Sequence, residues 1–229
     1  MPNLPPVVVA ALTGFISALL LAIPVGPVNL TIMNEGVRRG FKWALLIGFG
    51  ATVMEVIYCF IAFTGFASLF GNRIIKASME LFSFAFMLFL GIKFLVAKTA
   101  AMPIPIGQTA GKIEARLEEK LHPHSAFMIG FVRVMGNPNV LLGWIFFAAY
   151  FISREWVSAN WPGKLGCVGG VALGTGLFFF VLSYRASRGY GRISEKTLLR
   201  MEHFSGVGLL VLAFINAGHI IWQMAHHKI

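Results

Sequence analysis

The chain contains no aspartate, and its acidic side chains are nine glutamates set against 19 lysines and arginines in 229 residues, for a formal net charge of +10. Charge of either sign is scarce: 12% of residues are charged, where soluble domains average about 25%. With 57% hydrophobic residues and a mean hydropathy of +0.77, the sequence is built for a bilayer rather than for water. Cysteine is nearly absent too. Cys59 and Cys167 lie in apolar stretches and form no CxxC pair, which excludes a disulfide framework and a zinc knuckle and leaves packing as their role. HExxH, G-x-S-x-G and a Walker A loop are all missing. The chain is therefore expected to be neither an enzyme nor an ATP-driven pump, and to need no cofactor. Any energy for its work must come from a gradient or a partner.

What is present is apolar length. Runs at about 7–34, 42–66, 79–97, 125–151, 164–184 and 204–225 predict an all-α integral membrane protein with six transmembrane helices. The segment Met1 to Pro6 carries no basic residue ahead of the run that starts at Val7, so no cleaved signal peptide is expected. One polar stretch, 98–124, separates three runs from three, and its amphipathic part Ile113 to Lys120 predicts an interfacial helix or a loop. The expected organisation is a first three-helix repeat over 1–97, a cytoplasmic linker over 98–124 and a second repeat over 125–229.

The basic residues are unevenly placed. Loops one, three and five hold thirteen of them, Lys93 included, and the opposite side holds five: Arg73, Lys76, Arg154, Lys164 and Lys228. Positively charged loops stay cytoplasmic, so both termini are expected outside the cytoplasm of a cell's inner membrane. Three spans per repeat then make the two repeats antiparallel. The same bias reads as contact with anionic lipid rather than with nucleic acid.

Two of the runs are interrupted at corresponding places, by Pro24-Val25-Gly26-Pro27-Val28-Asn29 and by Gly136-Asn137-Pro138-Asn139. Proline removes a backbone donor and clashes with the carbonyl one turn back, freeing polar groups that hydrocarbon cannot satisfy. Interrupted spans repeated in each half are the sequence mark of a binding site at the midplane of an inverted-repeat transporter. Pro27 and Pro138 each suit the first position of a new half-helix, whose exposed N–H groups favour an anion such as a carboxylate. The carbonyls near Ala22 to Pro24 and Val134 to Gly136 are expected to serve an ammonium or a proton. Asn29, Asn137 and Asn139 add amides able to do either.

Glu55 lies in the middle of the second run, and Arg133 stands four residues before the Asn137-Pro138 break in the fourth. Ionisable groups at such depth are functional candidates by default. Ala44, Gly48 and Thr52 place Glu55 on a small-residue, packed face. It can carry a proton, bind a substrate ammonium or neutralise Arg133, which for its part can bind a substrate carboxylate or snorkel. Glu35, beside Arg38 and Arg39, reads as an interfacial salt-bridge residue. Gly166, Gly170 and Gly174 on the fifth run predict close helix packing, and small-residue faces of this kind equally permit a homo-oligomer.

The stretch Pro24 to Asn29, with Gly36, Arg38-Arg39-Gly40 and Gly48/Gly50, resembles the opening signature of the LysE/RhtB amino-acid exporters. Gly130, Asn137-Pro138, Phe146-Phe147 and Phe151 resemble their second signature, with Asn139 standing where a basic residue commonly follows Asn-Pro. The resemblance covers essentially the whole chain. It implies secondary export of amino acids or their derivatives, usually by proton exchange. The expected mechanism is alternating access, with a substrate carboxylate near Gly26, Pro27, Asn137 and Pro138, its amine facing Glu55 or freed carbonyls, and the proton carried by Glu55. A divalent-metal exporter of the same superfamily and a non-transporting membrane subunit are the alternatives. His122, His124, His226 and His227 are the histidines a metal reading would use, and they sit in a loop and at a terminus without a third ligand at useful spacing, so no metal site is expected. His219, Trp222 and His226 share one helical face and read as an interfacial belt.

Overall fold

The computed structural model describes residues 4–24, 26–65, 73–96, 125–188 and 195–225. Among these residues all regular structure is helical: α1 (Pro6–Ala22), α2 (Pro27–Arg39), α3 (Phe41–Gly65), α4 (Arg73–Val96), α5 (Ala126–Met135), α6 (Pro138–Ser153), α7 (Trp161–Ser187) and α8 (Glu195–Ala225). The linker over 98–124, with its amphipathic part Ile113 to Lys120, lies outside the described residues, as do His122, His124, His226 and His227.

The punctuation follows local chemistry. Proline opens α2 and α6 at positions where no N–H is needed, and Ser125, Asn137 and Asn160 cap α5, α6 and α7 with a side-chain oxygen. Gly40 ends α2 with φ at 84°, a backbone state that lets α3 start one residue later. Glu155 holds the same left-handed region at φ 58° after α6, where Trp156 N–H reaches back to the Phe151 carbonyl in a Schellman-type end.

Three helices among the described residues are long and apolar enough to cross a membrane: α3, α7 and the Leu199–Trp222 part of α8. The count rises to five when each bent pair is one span, α1 with α2 at 74° and α5 with α6 at 64°. The 24-residue α4 occupies the third expected run. Large apolar side chains point outward, Leu173 at 69% and Phe204 at 65% exposure among them, as lipid rather than water requires. Inside, Trp144, Phe147, Tyr150 and Phe151 bury α6 completely on its core face.

Two backbone-to-backbone contacts organise the bundle. Gly14 and Gly170 join α1 to α7, where a Cβ on either glycine would overlap the carbonyl of Cys167 or Ala11. Gly50 and Gly130 join α3 to α5 in the same way, against the carbonyls of Phe127 and Ile47. Gly166 lies near Val7 and Gly174 near Phe15, so α1 and α7 run parallel. The α3–α5 pair also runs parallel, from its glycine crossing to a contact between Tyr58 and Met135. By contrast α4 and α8 run antiparallel, with Gly91 on Gly206 and Glu80 beside Asn216. The glycines of α7 thus have the packing role expected of them.

Candidate functional site

The site begins with what the two corners leave unsatisfied. At the first, Pro27 starts α2 behind an extended Gly26, and α2 has no side-chain cap. The first intrahelical bond is Leu30 N–H to the Gly26 carbonyl, which leaves the N–H groups of Val28 and Asn29 at an open, partially positive helix end. The carbonyl side is closed. Buried Asn29 donates both amide hydrogens backward, to the Ala22 and Pro24 carbonyls at 2.9 Å each. These two carbonyls were expected to serve an ammonium, and the bend instead brings them onto Asn29, which caps the end of α1.

The second corner is capped at the start of α6 and largely bonded at the end of α5. Asn137 Oδ1 accepts from Asn139 N–H at 3.1 Å, the Asn137 N–H donates to the Val134 carbonyl, and Gly136 N–H returns to Val132. The Met135 carbonyl accepts from the Tyr58 hydroxyl at 2.7 Å. Tyr58 was not among the residues singled out from the sequence. Its signal was present: it lies three residues beyond Glu55, on the same buried face of α3.

Glu55 is buried at 8% exposure, and its Oε2 has no hydrogen-bond partner among the described residues. No guanidinium bond from Arg133 reaches that oxygen. Arg133 is half-buried in the last turn of α5, where the carbonyl end of the helix favours a cation. Thr52 returns its hydroxyl to the Gly48 carbonyl, so it makes no claim on Glu55. A buried carboxyl atom without a partner is costly, and it marks a place for a proton or a cationic ligand. The half-helices α2 and α5 touch one another and both rest on α3, the helix that carries Glu55 and sets Tyr58 at the second corner. Of the expected residues, Pro24, Gly26, Pro27, Asn29, Arg133, Asn137, Pro138 and Asn139 fall at or next to the corners, and Glu55 lies on the buried face of α3 that also carries Tyr58.

A second polar cluster lies away from the corners. Arg154 caps α6 and donates from Nη2 to the backbone and side-chain oxygens of Asn216, whose amide donates to the Glu80 carbonyl at 3.3 Å. Sequence reading placed Arg154 in a loop and passed over Glu80, which is buried inside the third expected run. Lys93 is likewise a correction: counted with the third loop, it stands within α4, half-buried and within electrostatic reach of Glu202. Glu35 bonds Arg39 at 2.9 Å and lies 3.8 Å from Arg38, as its position predicted. Among the described residues no three His, Cys, Asp or Glu side chains come together as a metal would require.

The model of a protein family described as LysE type translocator matches residues 19–217. The Bacillus subtilis (strain 168) protein named "Putative amino acid efflux protein YcgF" is similar at 26% identity over 203 residues, 89% of this chain and 92% of that protein. No solved structure matches the chain.

Proposed function

The chain belongs to the LysE type translocator family, and from that premise we propose that it exports amino acids or amino-acid derivatives across the cytoplasmic membrane. The observation that carries this reading is the pair of bent, proline-opened corners together with Glu55, buried on α3 with one carboxylate oxygen lacking a partner. The relative named for amino acid efflux supports the substrate class.

The architecture proposed for it is six spans in two inverted three-helix repeats, 1–97 and 125–229, joined by 98–124 on the cytoplasmic side. Helix directions support it. If each bent pair is one span, a chain that alternates direction six times has its first span parallel to its fifth, its second parallel to its fourth, and its third antiparallel to its sixth. Those are the relations of α1 to α7, α3 to α5 and α4 to α8. In this reading the repeats rock about the corners and expose the site to each side in turn.

The substrate carboxylate is assigned to the open end of α2, at Gly26, Pro27 and the Val28 and Asn29 N–H groups, because the α6 end already has its cap in Asn137. The substrate ammonium faces Glu55, and a proton taken up there displaces it. Arg133 and the Asn137–Asn139 turn shape the opposite wall.

The test is uptake into inside-out vesicles, which turns export into accumulation, with labelled amino acids and divalent metals offered with and without a proton gradient. Gradient-driven accumulation of an amino acid, lost in the Pro27→Ala, Pro138→Ala double variant, is expected. Glu55→Gln should keep counterflow exchange and lose the response to the gradient; full gradient response in that variant removes Glu55 from the coupling step. Accumulation of a metal alone would overturn the substrate class.

A further inference from the structure

We propose that the seam between the α2–α3 corner and the end of α7 is a binding site for the headgroup of an anionic phospholipid. The seam is built by Gly36, where an added Cβ would meet Ala186 Cβ at 2.8 Å, so the last turn of α2 lies directly on the last turn of α7. That contact brings cations from three helices to one level: Arg38 and Arg39 from α2, Lys42 from α3, Arg185 and Arg188 at the end of α7, all exposed. Glu35, the acid beside them among the described residues, is turned inward at 17% side-chain exposure and paired with Arg39, so the outward charge of these residues is positive.

Two of the cations are held in place. The Arg39 guanidinium lies 4.7 Å over the Trp43 ring and is ion-paired with Glu35; Arg188 lies 5.1 Å over Tyr184. Phe41 stacks edge-on against both Tyr184 and Phe180, which ties the start of α3 to the Arg188–Tyr184 pair across the seam. Guanidinium groups fixed in this way match the oxygens of a phosphodiester, where freely moving lysines would offer only charge. Directly next to them Val37, Phe180 and Tyr184 are exposed at 65%, 48% and 43%, an apolar wall for the acyl chains of the same molecule. A soluble phosphate would use the cations and leave that wall unused, which is why the occupant is a lipid. The site is separate from the corners and does not depend on what the protein carries.

The experiment is titration of the purified full chain in detergent with short-chain phosphatidylglycerol, or with phosphatidylcholine of the same chain length, read by native mass spectrometry and by the unfolding midpoint. Phosphatidylglycerol is expected to bind saturably and at least about tenfold more tightly than phosphatidylcholine, with the preference collapsing at high salt. Arg39→Gln with Arg188→Gln should weaken it on the order of thirtyfold, roughly fivefold for each charge removed and the bracing lost with it. Lys164→Gln, which removes a cation stacked at 5.6 Å on Trp161 away from the seam, should leave it unchanged. Equal affinity for the two lipids, an unaltered preference in the double variant, or a full effect from glycerol phosphate alone would each overturn the proposal. Should the double variant not fold, a lipid preference in the unsubstituted chain that survives high salt would overturn it instead.

Discussion

Asn29 and Tyr58 perform one chemical task at two corners, giving a donor to carbonyls that a bend has stripped of their helical partners. Asn29 does it from within its own span, Tyr58 from α3 across to α5. Replacing Tyr58 by Phe leaves the Met135 carbonyl without its donor in a dry setting, at a cost of about 1–3 kcal/mol. A lowered unfolding midpoint in detergent is expected, and an unchanged one would mean that water reaches the corner and takes the place of the phenol. The residue types at the corners were legible in the sequence, since proline and asparagine in an apolar run have few other reasons to be there. Their assignments were not. Which carbonyl an amide meets depends on the bend, and no spacing rule encodes an angle of 74°. Glu55 was legible by depth and face; Glu80 carried the same signal and was masked by its place near the start of a run, where charge is ordinary. Arg154 needs Asn216, 62 residues away, to become part of the interior.

At the scale of elements, apolar length located four of the runs to within about five residues, while α4 starts at Arg73 and α8 at Glu195, both well ahead of the expected runs. The helices read well because in lipid a backbone has no other way to satisfy itself. The contacts between them read less well, because a glycine in a membrane helix announces close packing without saying against what. Gly130 and Gly169 make the distinction testable. Gly130 meets the Ile47 carbonyl and Ala51 N at the α3–α5 crossing, whereas a Cβ at Gly169 has nothing within 4 Å. Gly130→Leu should push the two helices apart and destabilise the protein by about 1–3 kcal/mol or more, as overpacking does, with transport lost alongside. Gly169→Leu should change neither the unfolding midpoint nor transport appreciably. If both variants behave alike, the α3–α5 crossing is not the rigid contact it is taken for.

For the molecule as a whole, orientation rests on charge and connectivity on parity. Moving Lys93 from the third loop into α4 leaves the charge asymmetry intact, because the seam cations at the ends of α2 and α7 lie on one side and Arg154 at the end of α6 on the other. In cells expressing single-cysteine variants, an impermeant thiol reagent should label Leu4→Cys and Glu155→Cys and spare Arg38→Cys and Arg188→Cys, all four positions being exposed. The reverse pattern would invert the molecule and overturn the proposed placement of both termini. Parity also explains a limit of sequence reading: alternation along the chain dictates which spans are parallel, and only the fold decides which parallel spans touch. The pairing of α1 with α7 has a consequence for how the protein is made. The glycine face of α1 leaves the ribosome about 150 residues before its partner, an interval on the order of ten to thirty seconds at ordinary rates of synthesis. During that time α1 waits in the membrane with its closest-packing surface unmatched, so the step most exposed to misassembly, and to capture by insertion chaperones, is the arrival of the fifth apolar run.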